Sequence, residues 1–235
     1  MATSLTHPGK AFSTSDLHSL DVFRSGAQDM VEAAQIIARA AEALPRDFAA
    51  RAVLTDAVFA KTTGNRVLCL RDEAPPPEGL TLIGEARFAA PSGRGQEAVT
   101  LRFAELAEAA ERGQSAETFV YEPLAAPALS LSGDFAFAGL AGFEDLLSLI
   151  VETATAAHQA ARPGFRDIRL AGCRQTALPV AGAAMTAGKL NVRHLALKGE
   201  APLLRSTSLV ELEGAGGGSL SAVVTFILQT AVSAS

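Results

Sequence analysis

The chain has 235 residues, 49% hydrophobic and 19% charged, which excludes a disordered polymer and allows one large or two small globular domains. Its net charge is −5 and its pI about 5.4, and its Lys and Arg residues are scattered. Twelve Phe, one Tyr and no Trp leave no platform for stacking bases, so nucleic acid is not an expected partner.

Residues 1–15 are rich in Ser and Thr and read as a loose arm. Residues 28–44 (QDMVEAAQIIARAAEAL) place Met30, Ala33, Ala34, Ile37, Ala41 and Leu44 on one stripe, which predicts an amphipathic helix stopped by Pro45. Val53–Lys61 and Arg66–Arg71 read as strands joined by a tight turn at TTGN. APPPEG (74–79) is a rigid loop, because proline cannot donate to a central strand ladder. Residues 80–88 and 98–103 alternate apolar and polar side chains on either side of PSGRGQ, the pattern of a half-buried antiparallel hairpin. The Ala/Glu-rich stretch 104–118 reads as a short helix or a linker.

The second half opens with strand-like runs at Phe119–Tyr121 and LSLSGDFAF (129–137). Residues 143–161 set Phe143, Leu147, Ile150, Ala154 and Ala157 on one helical stripe, and ARPG ends that helix. IRLAGCRQTAL, LNVRHLALK, LLRSTSLVELE and SLSAVVTFIL follow as strands, the last two separated by GAGGGS in the position that PSGRGQ holds in the first half. Helix followed by long antiparallel strands therefore occurs twice, at similar spacing. The expected division is an arm (1–15), a first half (16–105), a linker (106–116) and a second half (117–230). Cys69 and Cys173 lie in strand-like runs and read as small buried hydrophobes. With no secretory leader and no apolar run long enough for a bilayer, a soluble cytoplasmic chain is expected. GAGGGS precedes a strand and so is no phosphate-binding loop, and no His or Cys cluster has ligand spacing, so neither cofactor nor metal is expected.

A long helix wrapped by a curved antiparallel sheet is the hotdog architecture. The run from Ser25 to Leu70 resembles the first hotdog of polyketide-synthase dehydratase domains, in which a helix follows a Pro-Gly-Ala-like turn and the next strand carries an acidic-then-apolar step, here TDAVF (55–59). GFEDLLSLIVETATAAHQ (142–159) is similar in position to the helix of the second hotdog, and the last hairpin resembles the end of single-hotdog acyl-carrier-protein dehydratases. The resemblance spans residues 16–230. It implies an α+β double hotdog, with two long helices each wrapped by a curved antiparallel sheet and the halves joined edge to edge, which would hide exposed strands.

The resemblance also implies chemistry on 3-hydroxyacyl thioesters carried by acyl carrier protein or CoA. A His base takes the α-proton, and a carboxylic acid from the opposite hotdog protonates the leaving hydroxyl. His18 is the candidate base, although it stands about two residues closer to the Ser25-Gly26 turn than the family's His and lacks the family's flanking Gly and Pro. The family's acidic position after a Leu-Leu pair is Ser148 here; Asp145 just before the pair and Glu152 one turn later are the candidate acids. Each residue also has a plainer reading: His18 as a surface or capping residue, Asp145 as a complement to the helix dipole, Glu152 as a solvated side chain. His158 flanks the apolar stripe as a packed histidine, and His194 lies alone in a strand. These departures support an alternative function, a catalytically degenerate hotdog subunit that binds a partner or completes its active site. Ser148, Glu152 and Thr155 also resemble the helix of chemotaxis-type phosphatases, with Thr155 in place of the Asn that orients water. A further expectation is assembly, as a homo- or hetero-oligomer with another hotdog or a synthase chain, because Ile36 and Leu149 are apolar yet fall off their stripes and would pack in the pseudo-dimer or in a real oligomer.

Overall fold

The computed structural model describes residues 17–25, 30–71, 76–93, 95–112, 119–123, 130–161, 165–200 and 203–230; the expected arm lies outside them. The first half contains β1 (Leu17–Ser19), β2 (Phe23–Ser25), β3 (Met30–Val31), α1 (Ala33–Glu42), α2 (Arg46–Ala49), β4 (Val53–Phe59), β5 (Asn65–Leu70), β6 (Thr81–Ser92), β7 (Gly95–Ala109) and β8 (Glu111–Arg112). The second contains β9 (Phe119–Pro123), β10 (Ser130–Phe137), α3 (Phe143–Ala161), β11 (Phe165–Pro179), β12 (Ala187–Glu200), β13 (Leu203–Gly214) and β14 (Ser219–Thr230).

Eleven strands form one sheet in the order β1-β5-β7-β6-β4-β11-β14-β13-β12-β10-β9, with every neighbouring pair antiparallel. The halves meet at β4 and β11, where Val58, Ala57 and Asp56 pair with Gly172, Cys173 and Arg174. Close approach dictates glycine on both sides of β4. A Cβ on Gly84 would lie 2.6 Å from the Val58 carbonyl oxygen, and one on Gly172 would lie 2.6 Å from that of Ala57. A small second sheet, β3-β2-β8, includes the short parallel pair of β2 and β8.

The halves are not topological copies. Counting from the seam, the first runs β4, β6, β7, β5 and the second β11, β14, β13, β12. Connection length explains the difference. Only residues 201–202 separate β12 from β13, so the two must pair as a hairpin. The connection from residue 71 to 80, with its three prolines, leaves β6 able to cross and pair with β4 instead of β5. The tight turn expected at TTGN is corrected by the same topology: β4 and β5 do not pair. Thr63 instead bridges Val31, its hydroxyl donates to the Glu105 carboxylate (2.6 Å), and Lys61 pairs with the same carboxylate. Burial works against the Glu105 charge, but these partners outweigh it and hold its pKa below the usual range.

Other expectations need correction. The first helix starts at Ala33 rather than near 28 and spans ten residues, because Met30 and Val31 are held as strand by β2 and by the Val31 N–H bond to the Thr63 carbonyl (2.9 Å). It is therefore not a long helix. Residues 104–109 extend β7 instead of turning helical, since Ala104 and Glu105 pair with Leu68 and Val67. Cross-strand pairing overrides the helix propensity of Ala and Glu there. The second helix spans 143–161 as expected.

α3 packs against β10 through β14 and against α1. It is buried well beyond its expected stripe: Leu146, Leu149, Thr153 and His158 are buried together with Phe143, Leu147, Ile150, Ala154 and Ala157. α1 likewise buries Ile36, Ala38 and Ala40 as well as Ala34, Ile37 and Ala41. Ile36 (2% exposed) and Leu149 (0%) are thus covered within the single chain and require no second copy. Cys69 and Cys173 are fully buried free thiols, pushed up to about 12 by burial, as expected of packed hydrophobes. Among the described residues no helix is long and apolar enough to cross a membrane.

Ile36→Glu and Leu149→Glu each bury an uncompensated carboxylate, so each is expected to cost more than about 4 kcal/mol. Circular dichroism melts will show loss of the folded monomer itself; a folded variant that has merely lost an oligomeric state would contradict this account of the core.

Candidate functional site

At the seam, the C-terminal part of α1, α2, the start of α3 and the turn after β11 enclose a cleft of about 380 Å³. Its floor is apolar: Ala38, Ala41, Leu44, Ala49, Phe143 and Val180. Three contacts hold the halves together around it. The Phe143 ring packs 6.3 Å from that of Phe88 on β6, Val180 donates its N–H to the Ala52 carbonyl (2.9 Å), and Arg39 pairs with Glu144 (3.1 Å) and with Glu42 (2.6 Å). Partial burial works against the Arg39 charge, but the Glu42 hydrogen bond and the charges of Glu144, Glu42 and Asp21 outweigh it and raise its pKa further. Charged Glu42, Arg46 and Glu144 line the cleft together with its apolar residues, a mix suited to an amphipathic ligand.

His18 sits on β1, whereas the two candidate acids, Asp145 and Glu152, share α3. His18 is half-buried on β1, the edge strand of the sheet, opposite the fully buried Cys69 and on the same sheet face. Five strand spacings of about 4.8 Å, roughly 24 Å along the sheet, separate β1 from β11. Asp145, the third residue of α3, accepts the N–H of Gly142 (2.9 Å). Reaching back from the third helical position to the residue before the helix is half of a capping box, which ties this carboxylate to the helix terminus. Glu152 is exposed, on the strip of α3 that the sheet leaves uncovered. Thr155 donates its hydroxyl to the Val151 carbonyl of its own helix (2.9 Å), which turns it away from the water-orienting role of the phosphatase resemblance.

The structure assembles a different cluster inside the second half. His158 on α3 is 4% exposed, and its Nδ1–H donates to the Ala154 carbonyl (2.6 Å). That bond fixes the tautomer, so Nε2 of the neutral ring accepts the Ser206 hydroxyl of β13 (2.5 Å). Ser206 is fully buried, and its oxygen in turn accepts the Nδ1–H of His194 on β12 (3.2 Å). The two imidazoles lie edge to face at 6.2 Å, and Phe226 of β14 packs 5.3 Å from His158. Burial, with a smaller contribution from His194, lowers the His158 pKa against the opposing effect of its backbone bond. This grouping is invisible to spacing, because residues 158, 194 and 206 meet only through tertiary packing. One sequence signal exists: β13 buries Ser206 and Ser208 on the face where it also buries Val210 and Leu212, a break in binary pattern of the kind that marks special positions. Among the described residues, no group of three or more His, Cys, Asp or Glu is arranged to hold a metal.

Ser206→Ala leaves the His158 Nε2 without its donor in the core and is expected to cost about 1–3 kcal/mol. Thr155→Ala removes only a local helix bond and should stay within about 0.5 kcal/mol. Urea unfolding of the two variants measures both; equal effects would remove the distinction.

No protein-family profile matches the chain, and no curated protein matches it in sequence. Solved structures do. A tesB protein of Mycobacterium avium subspecies paratuberculosis superposes with a TM-score of 0.56 at 10% identity, covering 88% of this chain and 91% of that one. A conserved hotdog-fold protein of unknown function from Alicyclobacillus acidocaldarius gives 0.54 at 8% identity, covering 92% and 93%. A trans-AT polyketide-synthase dehydratase domain from Brevibacillus brevis superposes more loosely, at 0.49 and 9% identity over 92% and 93%. Identities this low carry the fold and not the chemistry: the chain is a hotdog-fold protein.

Proposed function

We propose that this chain is a double hotdog that binds an acyl thioester and is degenerate for the dehydration chemistry its sequence resembles. Its halves follow the expected division, 16–105 and 117–230, with the first extended through β7 and β8 to Arg112. Its ligand is a fatty-acyl or polyketide chain carried by acyl carrier protein or CoA, and its setting is cytoplasmic, beside the synthase chain or hotdog partner that supplies or receives that ligand. The observation that carries this reading is the composition of the seam cleft. The floor suits an aliphatic chain, and no histidine is among its lining residues. Dehydration requires a base and an acid flanking one substrate, and Asp145 is engaged with the Gly142 N–H.

The competing reading keeps His18 as base and Glu152 or Asp145 as acid. It is favoured by the position of His18 in the half opposite α3, as a two-hotdog mechanism requires, and by its half-buried place on the Cys69 face of the sheet.

Incubation with 3-hydroxyacyl and 2-enoyl thioesters, with calorimetry in parallel, separates the two. The expected outcome is saturable binding with no hydration or dehydration. Binding should weaken about tenfold or more when Ala41→Glu places a charge on the cleft floor, a loss of at least about 1.4 kcal/mol. Turnover abolished by His18→Gln would establish the dehydratase instead; absence of binding as well as turnover would exclude both.

A further inference from the structure

We infer that His158, Ser206 and His194 form a proton-sensitive latch that holds the C-terminal half of α3 against the sheet. The geometry sets how many protons the cluster can accommodate. With both rings neutral, one set of hydrogen bonds satisfies every member: His194 Nδ1–H to Ser206, Ser206 O–H to His158 Nε2, and His158 Nδ1–H to the Ala154 carbonyl. One added proton is tolerated. If His194 takes it, the bonds keep their direction; if His158 takes it, the middle two reverse, with Nε2–H donating to Ser206 and Ser206 donating to a His194 ring that carries its hydrogen on Nε2. A second proton is not tolerated. Both rings would then donate to the single Ser206 oxygen, its hydroxyl would lose the His158 acceptor, and a cation on the buried His158 ring would face a second one on His194 at 6.2 Å.

Among the described residues, no acidic group acts on the His158 ring. β14 presents Phe226 to His158, β13 presents Ser206, and β12 presents His194. The buried side chains of β10 are Leu131 and Phe135, and β11 contributes Leu170 and the neutral thiol of Cys173. The charged groups of α1 that meet α3, Arg39 with Glu42, engage Glu144 in its first turn, at the opposite end from His158. The unfolded chain therefore binds a proton on His158 more readily than the folded one. With the His158 pKa lowered in the fold, stability is full above the ordinary histidine value and falls as the pH drops through it toward the folded value. The first residues of the latched helix line the seam cleft, so the device acts on the element that shapes that cleft.

Hydrogen exchange of the α3 amides over 151–161, read as protection factors between pH 7.5 and 5, tests the latch. Wild type should lose about tenfold or more of its protection across that range, confined to this part of the helix at first. His194→Gln keeps a donor for Ser206 but cannot be charged, and should move the loss to lower pH. Nuclear magnetic resonance titration of the His158 ring in the unsubstituted protein gives a second measurement that does not depend on a variant folding. The two rings should titrate as a coupled pair, with His158 below the ordinary range. Independent titration of His158 at the ordinary histidine value, pH-independent protection, or a His194→Gln profile that overlays wild type would each overturn the proposal.

Discussion

The antiparallel ladder between β4 and β11 is the interaction on which the rest of the molecule depends. It converts two incomplete sheets into one and removes the two edges that would otherwise be the most dangerous for aggregation. The edges that remain are β1 and β9, of three and five residues, short enough to offer little template for further pairing. The same ladder sets α1 beside α3, and so decides what covers Ile36 and Leu149. Residues that look like a demand for a second chain when each helix is considered alone are satisfied inside one polypeptide. Assembly into a larger complex is then no longer forced by the core; it must be argued from the ligand.

The seam also fixes where the apolar cleft lies. Phe143 crosses onto Phe88 of the first half, Val180 bonds to Ala52, and Arg39 reaches Glu144. Each contact joins residues far apart in sequence, and the cleft is the space they leave between them. Its apolar floor is drawn from both halves, so neither could hold the same ligand alone. The crossed connection in the first half fits this arrangement: β6 lies next to β4, and carries Phe88 to the place where α3 begins.

What was legible in the sequence follows from what local pattern can encode. The limits of α3 were readable because its apolar residues recur at helical spacing between Gly142 and Arg162. The start of α1 was not, because Met30 and Val31 continue the helical stripe while pairing with β2 and Thr63, partners no local window contains. The β7 extension was lost for the opposite reason: Ala104–Ala109 has the composition of a helix and the neighbours of a strand. The hairpin strands were readable from alternation, but their order was not, since the crossing of β6 depends on a connection whose path leaves no periodicity. The buried ring–hydroxyl–ring cluster was missed because its members occur singly, in three elements, each with an ordinary local reading.

The carboxylates of α3 show how structural duty limits catalytic freedom. Glu144 is held by Arg39 across the seam, and Asp145 is held by the Gly142 N–H at the helix start. Both carboxylates are engaged in the fold, by an opposite charge in one case and by a hydrogen-bond donor in the other. A general acid needs an environment that keeps its proton until the leaving group departs. Glu152 lies on the exposed strip of the same helix. In this chain the carboxylates at the start of α3 are tied into the stability of the fold. The apolar cleft beside them is the feature on which the proposed acyl-binding reading rests, and these ties are what set it against a dehydratase.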